Sequence, residues 1–171
     1  VSVQYLALGD SISTGYGLSD PGQSFVNLLA QQTGMTVANA SADGAVSQAV
    51  LALLSSGSLD AALSDAEVVT LTIGGNDMMA AFYEMIAAAY NAASGDSITA
   101  AQVPVILSDL TDSRNAALTQ SALQIVMSGY DKVRPSFSAA LDMVGSNLKS
   151  IAAYIKEKNP EVGRRAGGSP F

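Results

Sequence analysis

The chain has 171 residues, of which 49% are apolar and 13% charged, a size and composition that fit a globular domain and exclude a disordered chain. Its formal net charge of −7 disfavours nucleic acids and anionic membrane surfaces as partners, because both carry negative phosphates. The sequence holds no cysteine, which excludes disulfides and thiolate metal sites, and no apolar run long enough to span a membrane.

The first half of the chain alternates between predicted strands and predicted helices. Apolar runs bounded by turn residues predict strands over residues 3–8, 36–39 and 68–73. Helical patterns fill the intervals over residues 24–32, 46–54 and 59–64, and residues 12–22 are expected to form a loop. This alternation predicts a parallel sheet with right-handed crossovers.

The second half is predicted to be helical. Asp77 is placed to cap a helix that begins at Met78, and further helices are expected over residues 99–107 and 116–133. Pro135 is expected to break the chain before a last helix, which is predicted by an apolar stripe of Phe137, Leu141, Val144, Leu148, Ile151 and Ile155.

After Pro160 the pattern stops. The remaining residues are rich in glycine and contain two arginines and a proline, which is not typical of a buried strand. We therefore expect one domain over residues 1–160 and an irregular tail over residues 161–171.

Three polar loops follow the three predicted strands. They are Gly9-Asp10-Ser11, Ser41-Ala42-Asp43-Gly44 and Gly74-Gly75-Asn76-Asp77. The carboxyl ends of parallel strands share one edge of a sheet, so these loops are expected to meet there. Ser11 offers a nucleophile, while the Gly44 backbone N–H and the Asn76 side-chain amide are neutral donors. Such donors form an oxyanion hole for acyl transfer, where one donor contributes about 3–4 kcal/mol.

Each of these residues also has a purely structural interpretation. Gly-Asp-Ser is a common turn sequence, Gly44 suits a turn, and Asn76 or Asp77 suits the start of a helix. Asp10 is interpreted as an acceptor that stabilises its loop. The chain has no Gly-x-Gly-x-x-Gly, no Gly-Lys-Ser/Thr and no calcium-loop pattern, so neither a cofactor nor a metal is predicted.

In their order along the chain, the three loops resemble the first three sequence blocks of the SGNH (GDSL) hydrolases, a family of esterases, lipases and related acylhydrolases. The resemblance is specific over residues 5–77. It implies a flavodoxin-like three-layer α/β/α fold with a parallel sheet. It further implies that Ser11 is the nucleophile, that the Ser11 N–H, Gly44 and Asn76 form the oxyanion hole, and that Asp10 and Asp77 support them.

The family's fourth block, an Asp and a His three residues apart near the C-terminus, has no counterpart here, since the chain contains no histidine. Two strands that the family fold would add after Pro160 are also expected to be missing. Three explanations stay open: a fragment of a longer protein, a truncated or frameshifted gene, or a base supplied by another chain. In a comparable triad, loss of the base lowers turnover on the order of a million-fold.

Three functional hypotheses follow. The first is a serine ester hydrolase acting on a small ester, with little or no activity in the chain as given. The second is a non-catalytic module that binds an acyl group or ester, and the third is a fragment that forms homodimers through an exposed sheet edge. A secreted location with the leader already removed is consistent with the start at Val1 and with the family.

Overall fold

The computed structural model describes residues 2–111 and 116–162. It divides into two compact units. The sheet unit comprises Val1–Asn76 and Val144–Phe171, and the helical unit comprises Asp77–Met143. The predicted tail lies outside the described residues from position 163 onward.

A three-stranded parallel sheet is the centre of the sheet unit. Its strands are β1 (Tyr5–Gly9), β2 (Val37–Asn39) and β3 (Val68–Thr72), in the order β2-β1-β3. This order is the beginning of the flavodoxin-like arrangement, and the predicted α/β class is confirmed. The helices of this unit are α1 (Ser11–Thr14), α2 (Phe25–Thr33), α3 (Ser47–Ser55), α4 (Asp60–Asp65) and the last part of α7 (Ala116–Lys158).

Both faces of the sheet are covered, because alternate side chains of β1 point to opposite sides. Leu6 and Leu8 are fully buried on one face, in a cluster with Val50, Leu54, Leu63, Ala66 and Ile151 of the helical layer formed by α3, α4 and α7. Tyr5 and Ala7 are buried on the other face against Val26 of α2. The unit therefore has three layers, with the apolar run of β1 in the middle.

The ends of α2 follow from the local sequence. The Ser24 side chain accepts a hydrogen bond from the Asn27 N–H at the start, and Gly34 adopts a left-handed conformation just past the end. The predicted loop over residues 12–22 is more ordered than expected. It contains α1 and a 3-10 turn at Pro21–Gln23, because the carboxylates of Asp10 and Asp20 each accept a backbone N–H two residues ahead.

Polar contacts join the last part of α7 to the rest of the sheet unit. Asn147 donates to the Ser47 hydroxyl (3.0 Å) and the Tyr154 hydroxyl donates to Asp60 (2.7 Å). Lys158 forms an ion pair with Asp60 at 2.8 Å. The hydrogen bond from Lys158, followed by that from Tyr154, lowers the pKa of Asp60, while the same contacts with Asp60 raise the pKa of Lys158 and of Tyr154.

The helical unit is built from α5 (Gly75–Ser94, from Asp77 onward), α6 (Val103–Leu110) and the first part of α7. The helices α5 and α7 meet in backbone contact, since a Cβ on Gly129 would lie 1.9 Å from the carbonyl oxygen of Ala89. Asn91 fixes the connection after α5 by bonding both the N–H and the carbonyl of Ile98. Among the residues that the structure describes, no helix has the length and hydropathy needed to cross a membrane.

The predicted break at Pro135 is wrong, because α7 continues through it. Proline removes one backbone hydrogen bond, to the carbonyl four residues earlier at Asp131. Both residues lie on the exposed side of the helix, where water can satisfy that carbonyl. The apolar stripe from Phe137 to Ile155 is half-buried or buried throughout, and its packing outweighs the local preference of proline.

At the carboxyl end of β1, Gly9 is fixed by a close approach to β3. Its φ is +137°, and a Cβ there would lie 2.1 Å from the carbonyl oxygen of Thr72. Only glycine fits, because both the backbone conformation and the space exclude a side chain.

We expect Gly9→Ala to lower the free energy of unfolding by more than the roughly 1–3 kcal/mol of an unfavourable φ alone, because it adds a clash with backbone. Gly17→Ala is the matched control: its φ is +83°, but nothing lies within 4 Å of the added Cβ. Urea denaturation of both variants measures the difference, and equal losses would contradict this account.

Candidate active site

The three loops that follow the strands are joined to one another by backbone hydrogen bonds. The Ala42 N–H donates to Gly9 at 3.0 Å, which links the ends of β2 and β1. The Asp10 N–H donates to Thr72 at 2.9 Å, which links the ends of β1 and β3. All three loops therefore lie at the same edge of the sheet, where open α/β sheets bind their ligands.

Ser11 is the first residue of α1 and follows β1 after a single residue. It is half-buried, and its hydroxyl has no hydrogen-bond partner among residues 2–111 and 116–162. Its carbonyl accepts from the Tyr16 N–H at 3.1 Å, which fixes the backbone of the turn. The hydroxyl is thus held on a fixed turn without being used to stabilise it.

A chain of buried polar groups supports the turn. The Asp10 carboxylate accepts from the Ile12 N–H (3.1 Å) and from the Thr72 hydroxyl (3.0 Å). Because the Thr72 hydroxyl donates to Asp10, it can only accept from Ser13, whose hydroxyl lies between two acceptors: the Thr72 oxygen at 2.7 Å and the Leu8 carbonyl at 3.3 Å. Ser13 is fully buried, Asp10 is 6% exposed and Thr72 is half-buried, so water has limited access to this network of hydrogen bonds. It connects the residue before Ser11 to the last residue of β3.

Ser13 and Thr72 were not singled out from the sequence. Thr72 occupies a strand that reads as β-branched and apolar, and Ser13 lies in a stretch expected to be a loop. The signal in the sequence that could have indicated Thr72 is a hydroxyl near the end of a predicted strand, close to a polar turn.

Gly44 lies in a tight turn between β2 and α3. The Ala45 N–H donates to Ala42 at 3.1 Å and Gly44 has a φ of +72°, which glycine adopts readily at the third position of a turn. No atom lies within 4 Å of the place where its Cβ would be, so the space in front of this residue is open. The Thr14 hydroxyl donates to the Asp43 carboxylate, which joins this turn to the Ser11 turn.

Asn76 is the second residue of α5 and is half-buried. Its side-chain amide donates to the carbonyl of Ala45 at 2.9 Å, which places it beside Gly44. An asparagine amide has two N–H groups, so this contact uses one of them and a second stays available to donate.

Asp77 was predicted to cap the following helix, and this is wrong because α5 begins two residues earlier, at Gly75. Gly74, with a φ of +107°, turns the chain sharply after β3 and allows the early start. Asp77 lies instead in the first turn of α5, where a negative charge favours the helix dipole. In the part of the chain that the structure describes, no three acidic side chains are grouped to hold a metal.

The chain belongs to the GDSL-like lipase/acylhydrolase family, whose model matches residues 7–163. No curated protein matches the sequence significantly.

Among solved structures, it is similar to AlinE4, an esterase of the SGNH-hydrolase family, with 31% identity over 46% of this chain and a TM-score of 0.37. Two AlinE4 mutants, in which an aspartate or a serine is replaced by alanine, match at 31% and 30% identity over 47% of this chain, both with a TM-score of 0.39. These matches span 43–44% of the AlinE4 chains, so this chain covers less than half of their length.

We expect Thr72→Val to lower the free energy of unfolding by about 1–3 kcal/mol, because the buried Asp10 carboxylate loses a donor and Ser13 loses the nearer of its two acceptors. Thr36→Val is the control, since the Thr36 side chain is exposed and only its backbone is hydrogen-bonded. Chemical denaturation of both variants measures the effect. A loss no larger than that of the control would show that the polar chain does not stabilise the turn.

Proposed function

We propose that this chain provides the nucleophile and the oxyanion-binding groups of a serine ester hydrolase. Ser11 is the nucleophile, and the Ser11 N–H, the Gly44 N–H and the Asn76 amide form the oxyanion hole. The observation that supports this most directly is the hydrogen bond from Asn76 to Ala45, which brings the loops after β2 and β3 together at the edge where Ser11 lies.

The reaction proposed is acyl transfer from a small ester. The Ser11 oxygen attacks the ester carbonyl carbon, and the carbonyl oxygen becomes an oxyanion that the three donors stabilise. When the intermediate collapses, the bond to the alkoxy group breaks and the alcohol leaves with a proton, so that Ser11 is acylated. Water then hydrolyses the acyl-serine and regenerates the hydroxyl.

Proton transfer limits this cycle in the chain as printed. A serine hydroxyl is a weak nucleophile until a base removes its proton, and the 171 residues contain no imidazole. Asp10 and Asp43, two carboxylates of these loops, already accept hydrogen bonds from Thr72 and Thr14. We therefore propose that the chain alone acylates slowly and that added imidazole accelerates it.

Labelling with a fluorophosphonate tests the nucleophile. We expect covalent label on Ser11 by peptide mass spectrometry, faster in the presence of imidazole, and none at this position in Ser11→Ala. Ser19→Ala is the matched control, because Ser19 is an exposed loop serine a short distance along the chain. We expect Asn76→Ala to slow labelling by roughly a hundredfold or more, the effect of removing one oxyanion donor.

The alternative functions give different results in the same assay. A non-catalytic ester-binding module would be labelled at Ser11 but would not hydrolyse an activated ester faster than Ser11→Ala, with or without imidazole. Label on other serines at the same rate as on Ser11 would contradict the assignment of the nucleophile.

A homodimer through the sheet edge is a second proposal, favoured by β3. Within the described residues no strand pairs with its outer side, and Leu71 on this strand is 37% exposed. Unpaired strand edges are templates for association with another chain.

We expect the mass from light scattering to rise with protein concentration, and Leu71→Lys to suppress this rise because a charge disfavours edge pairing. Leu18→Lys, at an exposed loop position, is the control. A monomer at every concentration, or equal effects of the two variants, would exclude the edge as an interface.

A further inference from the structure

A large apolar cavity lies entirely within the helical unit. It has a volume of about 510 Å³. Protein interiors contain few voids larger than a water molecule, whereas pockets for small ligands measure roughly 300–1,000 Å³. The cavity is therefore of the size of a binding site and far larger than a packing defect.

Three helices each direct an apolar stripe at this cavity. Ile86 and Tyr90 lie one turn apart on α5, and Val103 to Leu110 on α6 repeat at helical spacing, with Ile106 and Leu107 between them. On α7 the stripe continues through Ala122. Such stripes normally pack against one another, but here they line a space that is partly open to solvent, where Leu118 and Leu123 are largely exposed, and that suits an apolar group.

Three of the polar side chains that line the cavity already use their protons within the protein. The hydroxyls of Thr111, Thr119 and Ser121 donate their protons to the backbone carbonyls of Ser108, Leu110 and Ala117. The remaining polar residues are Tyr90, whose hydroxyl can donate or accept, and Asp96, whose side chain is exposed and acidic. The lone pairs of these hydroxyl oxygens and the Asp96 carboxylate suit a ligand whose head group donates a proton. The charge of the carboxylate repels an anionic head group.

We propose that this cavity binds the hydrocarbon chain of a neutral single-chain lipid, a long-chain alcohol or an ester of similar shape that carries a free hydroxyl. The apolar stripes take the chain, and the acceptors of the polar lining take the hydroxyl. If each chain carbon occupies the ~30 Å³ of one water molecule in the liquid, the cavity has room for a chain of roughly seventeen carbons. None of the residues proposed for acyl transfer lines this cavity, so the proposal does not depend on that reaction.

Calorimetric titration of the full chain with straight primary alcohols, from hexanol to dodecanol, tests the proposal. We expect one site per chain, with a dissociation constant that falls about fourfold for each added methylene. Absence of binding, or uptake of many molecules per chain, would overturn it.

Ala122→Phe is designed to fill the cavity, and we expect it to weaken dodecanol binding at least tenfold. Ala139→Phe is the matched control, because Ala139 is an exposed residue of the same helix that does not line the cavity. Undiminished binding by Ala122→Phe, with the helical circular dichroism of the parent, would contradict the proposed site.

The head group is tested on the parent chain, which keeps the proposal open to refutation even if Ala122→Phe fails to fold. We expect dodecanoate at neutral pH to bind at least tenfold more weakly than dodecanol, and Asp96→Asn to reduce this difference. If dodecanoate bound as tightly as dodecanol, the assignment of a neutral ligand would be wrong.

Discussion

The contact between the end of β1 and the end of β3 determines the geometry of the candidate site. Gly9 brings the two strands so close that no side chain fits, and the polar chain from Asp10 through Thr72 to Ser13 fills the space beneath the turn. Each side chain of this polar network has a hydrogen-bond partner, so burial leaves neither the carboxylate nor a hydroxyl without a hydrogen bond. The buried groups therefore hold the turn, whereas the Ser11 hydroxyl takes no part in holding it.

Local sequence signals predicted the fold well where they agreed with tertiary packing. The apolar run of β1, the β-branched run of β3 and the Ser24 and Gly34 ends of α2 specify structures that burial also favours. Prediction failed at Pro135, where a local helix breaker is outweighed by packing along the rest of α7. It also failed at Asp77, because the turn made by Gly74 moves the start of α5 forward.

The candidate site was less accessible to sequence reasoning than the fold. Ser11, Gly44 and Asn76 could be named because each follows a strand, and the structure places their loops at one sheet edge. Their chemical roles stay predictions. The hydrogen bonds that hold the Ser11 turn depend on Thr72 and Ser13, which are far apart in the sequence. No rule of sequence spacing connects a threonine at the end of a strand with a buried serine in a distant turn.

The sheet unit is made from two stretches of chain, one that precedes the helical unit in the sequence and one that follows it. Asn159, near the end of the described chain, donates to the carbonyls of Leu63 and Ala66 at 2.8 and 2.7 Å, and Ile151 completes the core beside β1. On the ribosome, the strands would emerge long before the helix that covers them. Contacts so distant in sequence slow folding, because a long loop must close before they form. In nascent chains of this protein, α3 and α4 could therefore cover β1 early, whereas the part of the core that Ile151 completes would stay exposed until the last part of α7 is synthesised.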